Sequence, residues 1–159
     1  MTRNFETLDF IRESNRIEGI YHEPTTDEIA AYVHLSGCDK LTVSDIETFV
    51  TLTTKQGGPY GAVLRRKPGM NVMIGGFLPP PGGPRIEVQL GMLLGDINMH
   101  HYGHMSLLFE DHIRYEQLHP FSDGNGRSGR AIWWWQNGCD APIGFLHQFY
   151  YSTLRDKQT

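Results

Sequence analysis

The stretch HPFSDGNGRSGR, residues 119–130, carries the pattern from which the fold and the chemistry of this chain can be argued. Gly124 and Gly126 allow backbone conformations that other residues resist, and a glycine-rich turn that opens a helix points several N–H groups at one place. Arg127 and Arg130 stand three residues apart in the first turn of that predicted helix, so they share a face. Because cations at a helix N-terminus are unfavourable without an anion, the segment predicts a site for a phosphate chain.

Three further residues of this stretch carry candidate chemistry. Asn125 adds a side-chain donor to the anion site. Asp123 cannot contact bare phosphate, but its carboxylate suits a Mg²⁺ ion that does. His119 is the group best suited to take a proton near neutral pH. The alternative is an exposed loop with solvated charges, which the convergence of so many functional side chains within one short segment disfavours.

The hydrophobic pattern predicts helices on both sides of this loop. One helix leads into the loop and ends near His119, because a residue before proline avoids the helical region. Another continues to Asn137 and is stopped by Gly138, so that 104–138 is a central helix-loop-helix. Further helices are expected over 7–20, after a cap at Thr25 or Thr26, after a cap at Ser44 with Glu47 completing a capping box, over 88–97, and over 145–154. The predicted fold class is all-α.

The middle of the chain differs from these helical segments. Short runs over 62–66 and 70–74 flank Lys67-Pro68-Gly69, which predicts a small β-hairpin. The proline- and glycine-rich run over 79–84 is typical of an interdomain linker or of a stiff surface loop. Since neither flank is a comfortable domain by size, we favour a loop and expect 1–159 to form a single domain.

Composition excludes several classes of protein. The net charge of −4 argues against a general nucleic-acid partner. Two cysteines, Cys38 and Cys139, are too few for a disulfide framework and favour a reducing, cytoplasmic setting. No apolar run approaches the length of a membrane span, and the acidic residues near the N-terminus do not fit a signal peptide.

The stretch over 119–130 resembles the signature of the Fic family, His-x-Phe-x-Asp/Glu-Gly-Asn-Gly-Arg-x-x-Arg, at all eight specified positions. The preceding His112, Tyr115 and Leu118 are similar to the family's helix before that histidine. The segment Asn71-Val-Met-Ile-Gly-Gly is similar to the family's flap hairpin. The resemblance implies a compact helical bundle with a short β-hairpin flap over the active site, here the flap region, residues 60–78.

The resemblance also implies roles for the residues of the loop. His119 would deprotonate a target hydroxyl, and Asp123 would hold Mg²⁺ against the α- and β-phosphates of ATP. Asn125 and the loop N–H groups, including those of Gly124 and Gly126, would stabilise the α-phosphate. Arg127 would contact the β-phosphate and Arg130 the γ-phosphate. The implied reaction is transfer of AMP from ATP to a Ser, Thr or Tyr hydroxyl of a target protein or of the chain itself.

Two more parts of the chain take roles from this resemblance. The flap would bind the target as an added strand along Val72, Met73 and Ile74; the alternative is an ordinary hairpin that covers the core. The segment Ser14-Asn-Arg-Ile-Glu18-Gly resembles the family's inhibitory motif, within a predicted inhibitory helix over 8–20. Its glutamate would pair with Arg130 and block the γ-phosphate, and it would also support removal of AMP. The alternative is a solvated helix end.

Other activities remain open at the level of the sequence. The Doc type within the family phosphorylates and carries a lysine at the position of Gly126, so the glycine here favours nucleotidyl transfer. Transfer of UMP or phosphocholine is an alternative, because the signature recognises phosphates and not the base. A non-catalytic nucleotide- or protein-binding module is a third, although His119, Asp123 and Arg127 are all retained. His100 and His104 have metal-ligand spacing, but we interpret them as exposed helix histidines.

Overall fold

A computed structural model describes residues 2–55 and 61–140 of the 159, with side chains from Thr7 onwards. These residues form α-helices and no β-sheet. The helices are α1 (Thr2–Ile17), α2 (Thr26–Ser36), α3 (Val43–Thr54), α4 (Pro84–Met99), α5 (Met105–Leu118) and α6 (Asn125–Gln136). The helical class expected from the sequence is therefore confirmed, whereas the helix expected over 145–154 lies outside the described residues. None of the helices in this part of the chain combines the length and the apolar character needed to cross a membrane.

Capping boxes fix the starts of α2 and α3. The Thr25 hydroxyl accepts from the Glu28 amide at 3.1 Å, and the Thr25 amide donates to the Glu28 carboxylate at 2.8 Å, so the predicted cap at Thr25 is confirmed. The prediction of Ser44 as the cap of α3 is wrong. Thr42 caps this helix with Asp45 as its partner, because a capping box needs only a hydroxyl and a carboxylate three residues apart, and this earlier pair satisfies it.

Helix α6 lies at the centre of the fold. It packs on α5 and also contacts α1, α2 and α3, and each of its residues except Gly126 is buried. The three consecutive tryptophans, which point in different directions around the helix, are all within the core. A helix that is buried on all sides needs no polar face, and this burial holds the loop before α6 at a fixed place.

The β-hairpin predicted between 62–66 and 70–74 is not formed. The turn at its centre is present, since the Met70 amide donates to the Lys67 carbonyl at 3.2 Å. Its arms do not pair, because Leu64 instead forms an antiparallel bridge with Phe121. A smaller turn lies further along, where Ile74 and Phe77 exchange two backbone hydrogen bonds of 3.0 and 2.8 Å around Gly75.

Candidate active site

The loop between α5 and α6 is held by its own side chains. His119 has a left-handed backbone conformation, with φ 48° and ψ 61°, which turns the chain sharply after α5. Phe121 is buried in the core and anchors the loop. The Asn125 side chain accepts from the Phe121 amide at 2.9 Å and donates to the Phe121 carbonyl at 2.8 Å. This amide group braces the loop with one of its two N–H donors and with its oxygen.

The first turn of α6 is arranged to accept an anion. Gly124 precedes it with φ 78°, and no side chain caps the helix. The first amides of a helix have no partner within the helix and carry its positive end. Because Gly126 has no side chain, the Glu18 carboxylate can approach this turn closely. A Cβ at position 126 would lie only 2.6 Å from the Glu18 carboxylate oxygen.

Arg127 is buried next to this turn and is incompletely paired. One of its terminal nitrogens donates to the Thr53 carbonyl at the end of α3, at 2.7 Å. Its Nε is buried and has no hydrogen-bond partner in the described part of the chain. An unsatisfied buried donor on a cation is costly, so this guanidinium has capacity for an anionic ligand.

Arg130 contacts the end of α1 and the residue that follows it. Its Nε donates to the Ser14 hydroxyl at 2.8 Å, and one terminal nitrogen donates to the Ser14 carbonyl at 3.1 Å. The same nitrogen lies 2.7 Å from the Glu18 carboxylate. The structure therefore brings Ser14 and Glu18 to Arg130, which is more than a hundred residues further along the chain.

The position of Glu18 depends on anchors that the sequence pattern did not indicate. The Asn15 side chain donates to the Glu28 carboxylate at 2.7 Å, and both groups are buried. This bond ties the end of α1 to α2, while Ser14 is completely buried. Glu18 itself follows α1 and remains partly exposed. Hydrogen bonds between distant polar residues leave no periodic signal, so no pattern could have revealed them.

His119 is placed to act as a base. Its Nδ1 donates to the Glu116 carbonyl at 3.3 Å, and since a carbonyl can only accept, Nε2 is left with its lone pair. Burial lowers the pKa of His119 below its ordinary value, and the Arg65 cation acts in the same direction, while the Glu116 carbonyl, Asp123 and Glu18 oppose it. The imidazole is therefore neutral near pH 7, as a general base requires.

Asp123 lies at the exposed side of the loop. One of its carboxylate oxygens accepts from the Gly124 amide at 2.8 Å, which fixes its orientation. The residue is otherwise exposed, next to the first turn of α6. A single oriented carboxylate beside an anion site fits Mg²⁺, which is usually held by one or two carboxylates together with substrate phosphates.

The expected docking residues lie in the flap region with alternating exposure. Met73 is largely exposed, whereas Val72 and Ile74 are half-buried. The Ile74 amide is used in the turn with Phe77. Within the described residues, the amides of Val72 and Met73 make no hydrogen bond.

Two other groups of polar residues contain side chains of the types that bind metals. His100 and His104 do not share a helix, since α4 ends at Met99, and His100 lies 2.7 Å from the Asp111 carboxylate. The expectation of exposed helix histidines is thus wrong for His100. The ligand atoms of His34, Cys38 and Asp45 lie within 4.8 Å of one another. The Asp45 carboxylate accepts from His34 and from the Thr42 cap.

This geometry defines a class of protein, a helical bundle whose central helix begins at a glycine-rich loop that carries a histidine and two arginines. The family model of the Fic/DOC family matches residues 40–136, more than half of the chain, and the chain belongs to that family. Its members generally transfer nucleotidyl or phosphate groups to proteins. The matched range contains the whole loop but not Ser14 or Glu18. No match to the chain is found among curated proteins.

Proposed function

We propose that this chain is a protein adenylyltransferase, which moves AMP from ATP to a Ser, Thr or Tyr hydroxyl of a target protein, and that Glu18 inhibits it. The observation that carries the proposal is the position of the Glu18 carboxylate, against Arg130 and above Gly126. A carboxylate at this place occupies the site where a phosphate would bind at a helix N-terminus. The same contact therefore supports both an anion-binding function and its regulation.

ATP would bind along the first turn of α6 once Glu18 has moved away. The backbone amides at Asn125 and Gly126 would contact the α-phosphate, the buried Nε of Arg127 favours the β-phosphate, and Arg130 would take the γ-phosphate in place of Glu18. Asp123 would hold Mg²⁺, whose charge offsets that of the phosphates. We expect ATP binding to need Mg²⁺ and to weaken in Asp123→Ala, measured by calorimetry.

His119 would accept the proton of the target hydroxyl at Nε2. The hydroxyl oxygen then forms a bond to the α-phosphorus, and the bond from the α-phosphorus to the pyrophosphate oxygen breaks. Transfer of this kind depends mainly on positioning and on stabilising charge, which the loop amides and arginines provide. The target would lie along the flap region, where the open amides of Val72 and Met73 favour an added strand.

Gly126 favours adenylyl transfer over phosphorylation within the family. A side chain at this position would enter the space in front of the first turn of α6, where a Cβ would lie 2.6 Å from the Glu18 oxygen and 3.0 Å from Arg130 Nη1. The phosphorylating type carries a lysine there. The glycine keeps the first turn of α6 free for the α-phosphate, the atom at which AMP transfer takes place.

The test uses Glu18→Gly, with Glu18→Gly/His119→Ala as the matched control. Each protein is incubated with Mg²⁺ and ATP labelled on either the α- or the γ-phosphate, and intact mass is measured in parallel with UTP and CDP-choline. We expect label from the α-phosphate only, an added mass of one AMP, and none in the control. Label from the γ-phosphate would indicate phosphorylation. Mass added from UTP or CDP-choline would mean that the chain transfers UMP or phosphocholine. Loss of the AMP mass in the presence of wild-type chain would reveal the reverse reaction.

A further inference from the structure

Arg65 is a buried cation without a carboxylate partner in the described residues. Its side chain is completely buried, yet its guanidinium forms no ion pair in this part of the chain. It donates instead to backbone carbonyls: from Nε to His119 at 2.8 Å, from Nη2 to Leu118 at 3.0 Å, and from Nη1 to Met70 at 3.0 Å and Pro80 at 2.9 Å. Burying a charge in this way is expensive, so the contacts that it makes have to be specific.

These carbonyls come from two functional segments. Leu118 and His119 provide carbonyls at the C-terminus of α5, where the helix leaves carbonyls unpaired and its dipole is negative. Met70 lies in the flap region, and Pro80 lies in the run after it. The backbone of Arg65 adds a bond from its amide to the Pro120 carbonyl at 2.9 Å. One residue thus joins the turn that carries the base to both ends of the segment proposed to bind the target.

The backbone conformation of His119 explains why these bonds from Arg65 are needed. We call the bonds from Arg65 to Leu118, His119, Met70 and Pro80 the Arg65 clamp. A left-handed backbone is uncommon and strained for a residue other than glycine. The Arg65 Nε bond to the His119 carbonyl and the Leu118 bond beside it hold this turn in place. Without them the turn can relax, and a displacement of about 1 Å at a catalytic group can reduce a rate by roughly a hundredfold.

We propose that Arg65 is a positioning residue, which fixes the left-handed turn at His119 and couples the flap region to the base, so that a docked target and the base keep one geometry. This inference rests on the proposed function for its effect on rate, but not for its effect on structure. The Arg65 charge also contributes to the lowered pKa of His119. Arg65 therefore acts on the base through the backbone and through its field.

The neighbouring arginine supplies a matched control. Arg66 is exposed and pairs with the carboxylates of Glu47 and Glu87. Its guanidinium donates to these carboxylates and not to the turn at His119 or to the carbonyls of Met70 and Pro80. Arg66→Met and Arg65→Met therefore make the same chemical change at adjacent positions, one outside the clamp and one at its centre.

The experiment compares Arg65→Met, Arg65→Lys and Arg66→Met, each combined with Glu18→Gly. Three quantities are measured: the self-labelling rate at saturating Mg-ATP, the pKa of His119 by NMR, and amide exchange over residues 70–82. We expect Arg65→Met to lower the rate by about a hundredfold, to raise the His119 pKa because a nearby cation is removed, and to accelerate exchange. Arg65→Lys should keep the His119 pKa low but still lower the labelling rate and the protection of residues 70–82 from exchange. Arg66→Met should behave like the Glu18→Gly variant alone.

Each outcome decides the inference. If Arg65→Met changes only the melting temperature and leaves rate, pKa and exchange as in Arg66→Met, Arg65 is a core residue and not a positioning one. If Arg65→Met does not fold, Arg65→Lys decides by the same readouts. If the parent shows no labelling at all, the proposed function fails, whereas the His119 pKa and the exchange over 70–82 still test the clamp.

Discussion

The loop over 119–130 and the flap region contact each other through Phe121 and Leu64, yet their conformations are fixed in different ways. The later part of the loop is held by buried bonds between near neighbours: Asn125 bonds the backbone of Phe121, and Ser128 donates to the Gly124 carbonyl at 2.8 Å. Its first residues are held from the other region, through Arg65. The described part of the flap region is held from outside. Arg65 reaches the end of α5, and the Asn71 side chain accepts from the Gly82 amide at 2.9 Å.

This difference assigns different functions to the two regions. A loop with short-range buried hydrogen bonds keeps its shape whether or not a ligand is present, as electrostatic stabilisation of a transition state requires. A segment held at a few points, with open amides between them, can accept an added strand. The loop should therefore carry the chemistry, and the flap region should affect the target more than ATP.

His119→Ala tests the chemical side of this comparison and should have the largest effect. Removing the base should reduce transfer by about a hundred- to ten-thousandfold, measured as AMP incorporation in the Glu18→Gly background. The affinity for Mg-ATP by calorimetry should stay the same, because His119 contacts the hydroxyl and not the phosphates. Undiminished labelling by the variant would remove His119 from the role of base.

The stability lost on replacing one asparagine in each region with alanine tests how firmly each region is fixed. The two variants are Asn125→Ala in the loop and Asn71→Ala in the flap region. The first change leaves the buried amide and carbonyl of Phe121 unpaired, at about 1–3 kcal/mol for each unsatisfied group. The second removes one exposed bond and should cost less than about 1 kcal/mol. Urea unfolding of both variants gives the two values. Equal losses would mean that the loop is not more tightly fixed than the flap region.

The same contrast explains which features the sequence could predict. The loop and its flanking helices follow from residues that are close in sequence. The contact of Ser14 and Glu18 with Arg130 follows from a segment that resembles the family's inhibitory motif. The hairpin over 62–74 was wrongly predicted because Leu64 pairs with Phe121, which no local pattern reveals. Arg65 looked like part of a short strand, and its contacts with carbonyls from α5 and the proline run depend on the tertiary fold alone.

The free energy of unfolding should depend on pH through His112, a buried residue of α5 that bonds the Gly129 carbonyl of α6. Burial lowers the pKa of this residue to about 3, with Arg130 acting in the same direction and the Gly129 carbonyl opposing it. Its folded pKa lies below its unfolded value near 6.5, so the unfolded state binds more protons between these values. Stability should be complete above pH 6.5 and fall with decreasing pH, by up to about 1.4 kcal/mol per unit.

Urea unfolding between pH 7 and pH 4 measures this slope. His112→Gln, which cannot take up the proton, serves as the control and should have a smaller slope over the same range. The Glu116 carboxylate, 3.8 Å from the imidazole, remains in both proteins. If the wild type and His112→Gln have the same dependence on pH, the pKa of His112 is not lowered in the folded state.

Val72→Pro tests the flap side and should have the smallest effect. Proline removes one open amide, and the loss of one hydrogen bond to a docked strand is worth about 0.5–1.5 kcal/mol, or roughly two- to tenfold in target labelling. Val72→Ala, which keeps the amide, should label targets like the parent. Both variants should bind Mg-ATP normally, and an ATP defect in Val72→Pro would place this edge at the nucleotide site instead.

The central claim is that Glu18 and the γ-phosphate compete for Arg130. A coupling of about 1–3 kcal/mol would change occupancy of the productive arrangement by roughly 5- to 150-fold. The most direct measurement is the rate of AMP incorporation from α-labelled ATP by wild type, Glu18→Gly, Arg130→Ala and the double variant, each checked for folding. We predict that Glu18→Gly labels faster by that factor and that Arg130→Ala is not rescued by it. A folded Glu18→Gly variant that is no faster than wild type would contradict the claim and leave residues 14–19 as a helix end.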